Sequence, residues 1–156
     1  ANTCIPSRLS MMEYWDRGTG WSIARDLVHL NATKRTKVTT LRVGECGDFR
    51  HQADLEKTEM LAFFLAKEGI NVYCYSARSD LDFSICQHLV VNGSGWMAHN
   101  RFQVAYSLRR SDDGAGWLAE DKDGNMVTCD AVCPGDCRKC SLCQQKASRT
   151  IAVMLH

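Results

Sequence analysis

The cysteines are the residues of this chain whose type and spacing point most directly to chemistry. The 156 residues include nine cysteines, and five of them lie close together near the end of the chain. The five are Cys129, Cys133, Cys137, Cys140 and Cys143. An odd total excludes a complete set of intramolecular disulfides, and runs of Cys-x2-Cys and Cys-x3-Cys are typical of metal sites. We therefore predict a metal site in this stretch; the alternative is a group of free, buried or disulfide-bonded thiols.

Four closely spaced thiolates suit either an iron–sulfur cluster or zinc. The four thiolates that a [4Fe–4S] cluster takes would come from Cys133, Cys137, Cys140 and Cys143. Close Cys-x2-Cys-x2-Cys runs are a known arrangement for such clusters. A structural zinc would take four tetrahedral ligands, and His156 could replace one cysteine if the final segment is a strand that returns the chain end. From the residues alone, a solvated chain end is the favoured interpretation of His156.

A second candidate site is the turn that follows the predicted strand over residues 37–43. The turn contains Gly44, Glu45, Gly47 and Asp48. At the carboxyl end of a parallel strand, such a turn is where α/β proteins place ligands. The glycines permit close backbone approach, and the two carboxylates could accept hydrogen bonds from an amine or from hydroxyls. The alternative is a plain connection from strand to helix, with Asp48 as the helix cap.

The elements that would position these two sites are predicted from residue periodicity and turn signals. They are helices over 10–16, 21–30 and 54–68, strands over 37–43, 70–76, 89–91, 102–108 and 150–155, and a hairpin within 117–128. The segment from residue 37 to residue 76 is a βαβ unit, which makes its strands parallel. We therefore predict an α/β fold, a partial βα sheet or partial-barrel-like domain over residues 1–128. A cysteine-rich metal-binding tail over residues 129–156 would follow it.

Composition excludes several functional classes. The formal net charge is +1, which argues against a partner held by charge, so nucleic acid is not expected as a partner. Apolar residues make up 45% and charged residues 24% of the chain, which are globular values that exclude a disordered chain. The sequence contains no apolar run of the roughly 20 residues that a membrane span needs and no signal peptide, so no membrane association is expected.

Three stretches together resemble the bacteriophage "gene product 88" family, an uncharacterised group. They are LRVGECGDF (41–49), INVYCYSARSDLDF (70–83) and CPGDCRKC (133–140) with the terminal His156. The resemblance implies that the closing motif of the family falls on Cys133, Cys137, Cys140 and His156, which favours His156 as a ligand. Cys143, Cys129 and His156 are then alternatives for the fourth ligand.

Members of that family also resemble radical S-adenosylmethionine enzymes in outline. The resemblance implies that the turn at 44–48 holds the methionyl amine of S-adenosylmethionine. This sequence departs from the pattern, because only Cys4 precedes Lys37 where the enzymes carry Cys-x3-Cys-x2-Cys. The same spacing occurs here after the strands, within residues 133–140. A truncated or degenerate relative of the enzymes fits this departure.

The resemblance therefore implies a phage-encoded protein that binds a metal or an iron–sulfur cluster, located in the host cytoplasm or in the virion. Together with the number of thiolates, the family outline favours an iron–sulfur cluster over zinc. Whether it is an enzyme stays open. The alternative is a non-enzymatic virion or interaction protein with a structural zinc site, whose partner would be a phage or host protein.

Overall fold

The computed structural model describes residues 4–44, 47–137 and 139–155, with side chains from Ser10 onward. The predicted α/β class is confirmed. In this part of the chain the helices are α1 (Cys4–Arg17), α2 (Gly20–Thr33) and α3 (Gln52–Lys67). The strands are β1 (Thr40–Val43), β2 (Asn71–Ser76), β3 (Leu89–Ser94), β4 (Asn100–Ala105), β5 (Ser107–Arg110), β6 (Trp117–Glu120), β7 (Met126–Cys129), β8 (Ala131–Val132) and β9 (Thr150–Met154). Over the described residues, no helix is both long enough and apolar enough to pass through a bilayer.

A six-stranded parallel sheet forms the centre of the molecule. Its strand order is β1-β2-β3-β4-β9-β8, and every neighbouring pair is parallel. The predicted βαβ unit is present as β1, α3 and β2. Residues 129–156, predicted as a separate tail, supply β8 and β9 to this same sheet.

One face of the sheet is covered by α2 and α3. Alternate residues of each strand point to this face, so Val72 and Cys74 of β2 and Leu89 and Val91 of β3 meet the helices. The apolar stripe of α3 that packs on them consists of Leu55, Leu61 and Leu65, all fully or almost fully buried. Burial of each such leucine contributes roughly 1.5–3 kcal/mol, so this face holds most of the apolar core.

The opposite face of the sheet is polar and is covered by an irregular segment, residues 139–149, in place of helices. Purely parallel sheets are normally covered on both faces. Here Asn71, Asn92 and Asn100 point to the second face and donate hydrogen bonds to backbone carbonyls of this segment. The second face is therefore closed by the end of the cysteine-rich stretch.

The neighbouring strands β3 and β4 are parallel although only residues 95–99 separate them. Parallel strands usually need a connection of a dozen or more residues. Here the chain turns back at Gly95, whose φ of +84° suits glycine, and its N–H donates to the carbonyl of Phe102. The short return places Asn92 and Asn100 directly opposite each other in the sheet.

A three-stranded antiparallel sheet, β5-β6-β7, extends from the end of β4. It contains the predicted hairpin as β6 and β7. The predicted single strand over 102–108 is wrong in one respect: the chain divides at Tyr106 into β4 and β5, which belong to different sheets. Small residues line the contact between the two sheets, so their backbones approach closely. They are Ala105, Ala119, Cys129 and Ala152.

Candidate metal centre

The four cysteines of the predicted metal site lie on the connection between β8 and β9. Cys133 directly follows β8, and its N–H donates to the carbonyl of Ala152 in β9 at 2.7 Å. Cys143 lies in a short 3₁₀ turn over Leu142–Gln144, beneath which the sheet passes. Cys137 is exposed, whereas Cys140 and Cys143 are partly buried. Because β8 and β9 are parallel, this connection crosses the sheet from its carboxyl end to its amino end.

The thiol of Cys143 has the other three thiols as electrostatic neighbours. Burial raises the pKa of Cys143, a hydrogen bond with Tyr75 lowers it, and the charges of Cys133, Cys140 and Cys137 raise it further. Thiols interact in this way only when they are close, so the structure brings all four predicted cysteines to one region. Bound metal would reverse the effect, because a cation stabilises thiolates.

The four sulfur atoms do not surround a common point. Among the described residues, no group of three or more histidine, cysteine, aspartate or glutamate side chains is arranged to hold a metal ion. The donor set nevertheless has the chemistry of a zinc or iron–sulfur site, since soft thiolates are what both centres take. His156 and Glu45 lie outside the described residues.

Cys129, one of the alternatives for the fourth ligand, lies elsewhere. It is fully buried at the end of β7, where it packs with Ala105 and Ala152. Burial raises the pKa of its thiol, and Arg101 and Asp130 are its charged neighbours. Cys143, in contrast, is an electrostatic neighbour of the other loop thiols, so of the two it is the better candidate for a fourth ligand.

Two other cysteines are buried core thiols. Cys74 and Cys86 lie on the helix-covered side of the sheet. Burial raises the pKa of Cys74 far above its ordinary value, and burial together with Glu59 raises the pKa of Cys86 to about 12. Thiols that stay protonated at neutral pH are poor nucleophiles and poor ligands, so Cys74 and Cys86 are inert core residues.

A row of polar side chains across the sheet holds the segment that carries Cys143. Tyr75, Asn92 and Asn100 occupy matching positions on β2, β3 and β4. The Asn92 amide donates to the Cys143 carbonyl at 2.9 Å and to the Cys74 carbonyl at 3.0 Å. The Asn100 amide donates to the Asn92 side-chain oxygen at 3.0 Å and to the Gln145 carbonyl at 2.8 Å. We call Tyr75, Asn92 and Asn100 the cradle.

Two further contacts extend this attachment along the segment. Asn71 donates to the carbonyl of Gln144 at 2.6 Å. Lys146 donates from its ammonium to the carbonyls of Cys86 and Gln87, at 2.9 and 2.7 Å. Side chains from the sheet thus satisfy three successive backbone carbonyls of the segment, and Lys146 of the segment in turn satisfies two carbonyls of the turn before β3.

Tyr75 completes the cradle as an electrostatic neighbour of Cys143. Burial raises the pKa of Tyr75, and the hydrogen bond with Cys143 raises it further. The ring packs edge-to-face on Phe102, with centroids 4.8 Å apart, and Arg42 lies 4.7 Å from its centroid on another side. The phenol therefore stays protonated and is available as a donor.

The glycine turn lies at the carboxyl end of β1, as predicted. Gly44 has a φ of +73°, a conformation that favours glycine. The carboxylate of Asp48 accepts hydrogen bonds from the Ser76 hydroxyl and the Ala77 N–H, both at 2.7 Å. Asp48 therefore joins the end of β1 to the end of β2. The alternative of Asp48 as a helix cap is wrong, because α3 begins at Gln52 with His51 as its cap residue.

The cradle residues are the functional residues that sequence reasoning missed. Asparagine is depleted in strands. An asparagine inside a β-branched run, such as Asn92 after Leu89–Val91, therefore indicates that the side chain makes specific hydrogen bonds. Tyr75 carries no such signal, because it lies within the apolar run over residues 70–76.

Comparisons of the chain with protein-family models, with curated proteins and with solved structures found no match.

Proposed function

We propose that the chain is an α/β protein that binds a metal centre, with an iron–sulfur cluster favoured over zinc, through Cys133, Cys137, Cys140 and Cys143. The feature that supports this most directly is the spacing of the four thiols along one connection between the parallel strands β8 and β9, whose later part is held against the sheet by Asn92 and Asn100. Four thiolates also match the ligand number of a [4Fe–4S] cluster.

The architecture gives the centre a structural task. Residues 133–149 join two parallel strands with little regular structure, and irregular connections of this length are uncommon unless they are functional. Part of the segment is fixed by the cradle, whereas the part that carries Cys137 is exposed. A metal centre would tie that part to the sheet, since the free energy of metal binding contributes to folding.

Anaerobic purification with elemental analysis and a visible spectrum tests the proposal. A cluster predicts iron and sulfide in the protein and broad absorbance near about 400 nm from thiolate-bound iron. Colourless protein with one zinc per chain would assign the centre to zinc. Protein that holds neither metal would refute the proposal.

Ligand variants test which thiols take part. We expect Cys143→Ala to lose most of the bound metal. The matched control is Cys129→Ala, which removes a thiol that is packed between alanines away from the loop, and it should keep the wild-type metal content. Equal metal content in the two variants would exclude Cys143 as a ligand.

A more specific form of the proposal is that the chain is an enzyme that acts on S-adenosylmethionine. The resemblance to the gene product 88 family and to radical S-adenosylmethionine enzymes supports it, as does the position of the turn at 44–48 beside the carboxyl end of β1. A reduced cluster would supply an electron to S-adenosylmethionine. Reconstituted protein mixed with S-adenosylmethionine and a reductant should then release 5′-deoxyadenosine, and a full-length chain that releases none is not such an enzyme.

The second candidate is a non-enzymatic phage protein, a virion component or an interaction partner of a host factor, with a structural zinc. The contacts of Asp48 favour it, because this carboxylate serves to connect β1 with β2. One zinc per chain together with no cleavage of S-adenosylmethionine would establish this candidate over the first.

A further inference from the structure

We propose that His99 is an acid-sensitive latch, whose uncharged imidazole helps to hold residues 145–149 against the sheet at neutral pH and whose protonation in mild acid releases them. We call His99 and its hydrogen bonds to Val91 and Ser148 the latch. It is separate from the proposed metal centre, because none of its hydrogen bonds involves a thiol.

His99 ends the short return between β3 and β4, and its ring takes the place of a strand partner. The Val91 N–H of β3 donates to the imidazole Nδ1 at 3.0 Å. β4 begins only at Asn100, opposite Asn92, so it offers Val91 no backbone partner. Val91 is fully buried, and a buried N–H requires an acceptor. The imidazole must therefore present an unprotonated Nδ1 to complete this part of the sheet.

The backbone of His99 and the side chain of Asn100 hold the last part of the segment. The Ser148 N–H donates to the His99 carbonyl at 2.8 Å, and the Ala147 N–H donates to the Asn100 side-chain oxygen at 3.3 Å. Ser148 has a φ of +48°, which is unfavourable for a residue other than glycine. Such a conformation persists only when the surrounding contacts impose it. Movement of His99 therefore lets Ser148 relax and the chain around it detach.

The surroundings of the imidazole favour its uncharged form. Burial is the largest cause that lowers the pKa of His99, and Lys146 lowers it further, whereas Glu59 of α3 and the Cys86 carbonyl raise it. The Lys146 ammonium is fixed by its hydrogen bond to the Cys86 carbonyl at 2.9 Å. The Glu59 carboxylate already binds the His88 imidazole at 2.8 Å. A charged His99 would thus lie near the Lys146 cation, with only part of one carboxylate to balance it.

Protonation opens the latch for a chemical reason. Both ring nitrogens of an imidazolium carry hydrogen, so Nδ1 can no longer accept from Val91. The open state takes up its proton with the ordinary histidine pKa of about 6.5, whereas the closed state does so only at lower pH. The latch is therefore closed above the ordinary pKa and opens as pH falls below it. Between about pH 7.5 and pH 5.5 the equilibrium constant for opening should rise by up to about tenfold.

The test is amide hydrogen exchange in the full chain, measured by NMR at about pH 7.5 and pH 5.5 and divided by the intrinsic rate at each pH. The variant is His99→Asn, whose side-chain oxygen occupies the place of Nδ1 and accepts the same bond but does not titrate. The matched control is His29→Asn, which removes an exposed histidine of α2. All three proteins keep the same cysteines, so any pH dependence of the thiols is common to them.

We expect the protection of Ser148 in the wild type to fall by about fivefold to tenfold over this range, in step with the titration of the His99 ring signals. The His29 control should behave like the wild type, and His99→Asn should keep equal protection at both pH values. Unchanged wild-type protection overturns the latch, and so does a His99→Asn protein that loses as much as the wild type. Should His99→Asn fail to fold, the wild type decides, because a loss whose midpoint differs from that of the His99 ring also overturns it.

Discussion

At the scale of single residues, the polar face of the sheet depends on Asn92. Its side chain is fully buried and makes three hydrogen bonds, two as donor to carbonyls and one as acceptor from Asn100. A buried carbonyl that loses its donor costs about 1–3 kcal/mol, which is more than the net gain from forming the bond. The residue therefore links β2, β4 and the cysteine-rich segment energetically.

We expect Asn92→Ala to lower the free energy of unfolding by about 2–5 kcal/mol, because it leaves several buried polar groups without partners. The matched control is Asn125→Ala, whose amide contacts Asp121 in an exposed turn and should change stability by no more than about 0.5 kcal/mol. Urea denaturation measures both. Equal losses in the two variants would contradict the role assigned to Asn92.

Gly93, the next residue in β3, is required by close packing. A Cβ at this position would overlap the carbonyl oxygen of Trp96 and lie 2.9 Å from its ring carbon Cδ2. We expect Gly93→Ala to destabilise the protein by about 1–3 kcal/mol or more through overpacking. Gly47→Ala is the control, since a Cβ there meets nothing within 4 Å. Equal midpoints of thermal unfolding for the two variants would contradict this prediction, because they would show that the end of β3 can shift to accommodate the added Cβ.

At the scale of elements, one buried carboxylate attaches α1 to α3. Asp54, in the first turn of α3, accepts hydrogen bonds from the Arg50 guanidinium at 2.8 and 3.0 Å and from the Trp15 indole at 3.2 Å. Arg50 also pairs with Asp16 of α1 at 2.6 Å. Lys57 of α3 donates to the Trp15 carbonyl. These ion pairs and hydrogen bonds therefore connect α1 to α3, two helices that share few apolar contacts.

Stability should therefore fall at acid pH. Arg50 holds the pKa of Asp54 well below its ordinary range, so the unfolded state binds the proton more readily than the folded state. The stabilisation is present above the unfolded pKa of about 4 and is lost as pH falls further. We expect Asp54→Asn to be less stable at neutral pH and to lose less stability on acidification. Urea midpoints compared at pH 7 and at lower pH measure this.

The control for that experiment is Asp80→Asn, which breaks an exposed ion pair with Arg78. Exposed pairs contribute little, so its pH dependence should match that of the wild type. An Asp54→Asn protein that loses as much stability in acid as the wild type would show that other groups cause the acid response.

The elements differ in how far the sequence could predict them. The βαβ unit follows from periodicity, because one apolar face on α3 and a continuous apolar strand leave few alternatives. The end of β3 was missed, since Asn92 and Gly93 disfavour strands and are present for contacts with the loop and with Trp96. On α2, the helical spacing of apolar residues includes Trp21, yet Trp21 is 51% exposed beneath Arg25 while Ile23 is buried. Those choices depend on tertiary neighbours, which local patterns do not contain.

At the scale of the whole molecule, the two faces of the parallel sheet are closed by different means. Helices cover one face through apolar burial, which needs no ligand. The other face is covered by the cysteine-rich connection, which is attached by asparagine amides at one end. The sequence shows the spacing of the thiols directly. Their position over the sheet could not be predicted, because the asparagines that fix the segment come from three separate strands.

This asymmetry predicts where the metal-free protein opens. Lys139 lies between Cys137 and Cys140 in the sequence and is exposed, whereas the Lys146 ammonium donates hydrogen bonds to the Cys86 and Gln87 carbonyls. Trypsin should therefore cleave after Lys139 much faster in chelator-treated protein than in metal-loaded protein, since cleavage requires local unfolding of the segment. Cleavage after Lys146 should stay slow in both, and mass spectrometry identifies the sites. Equal rates after Lys139 with and without metal would mean that no metal centre holds this connection against the sheet.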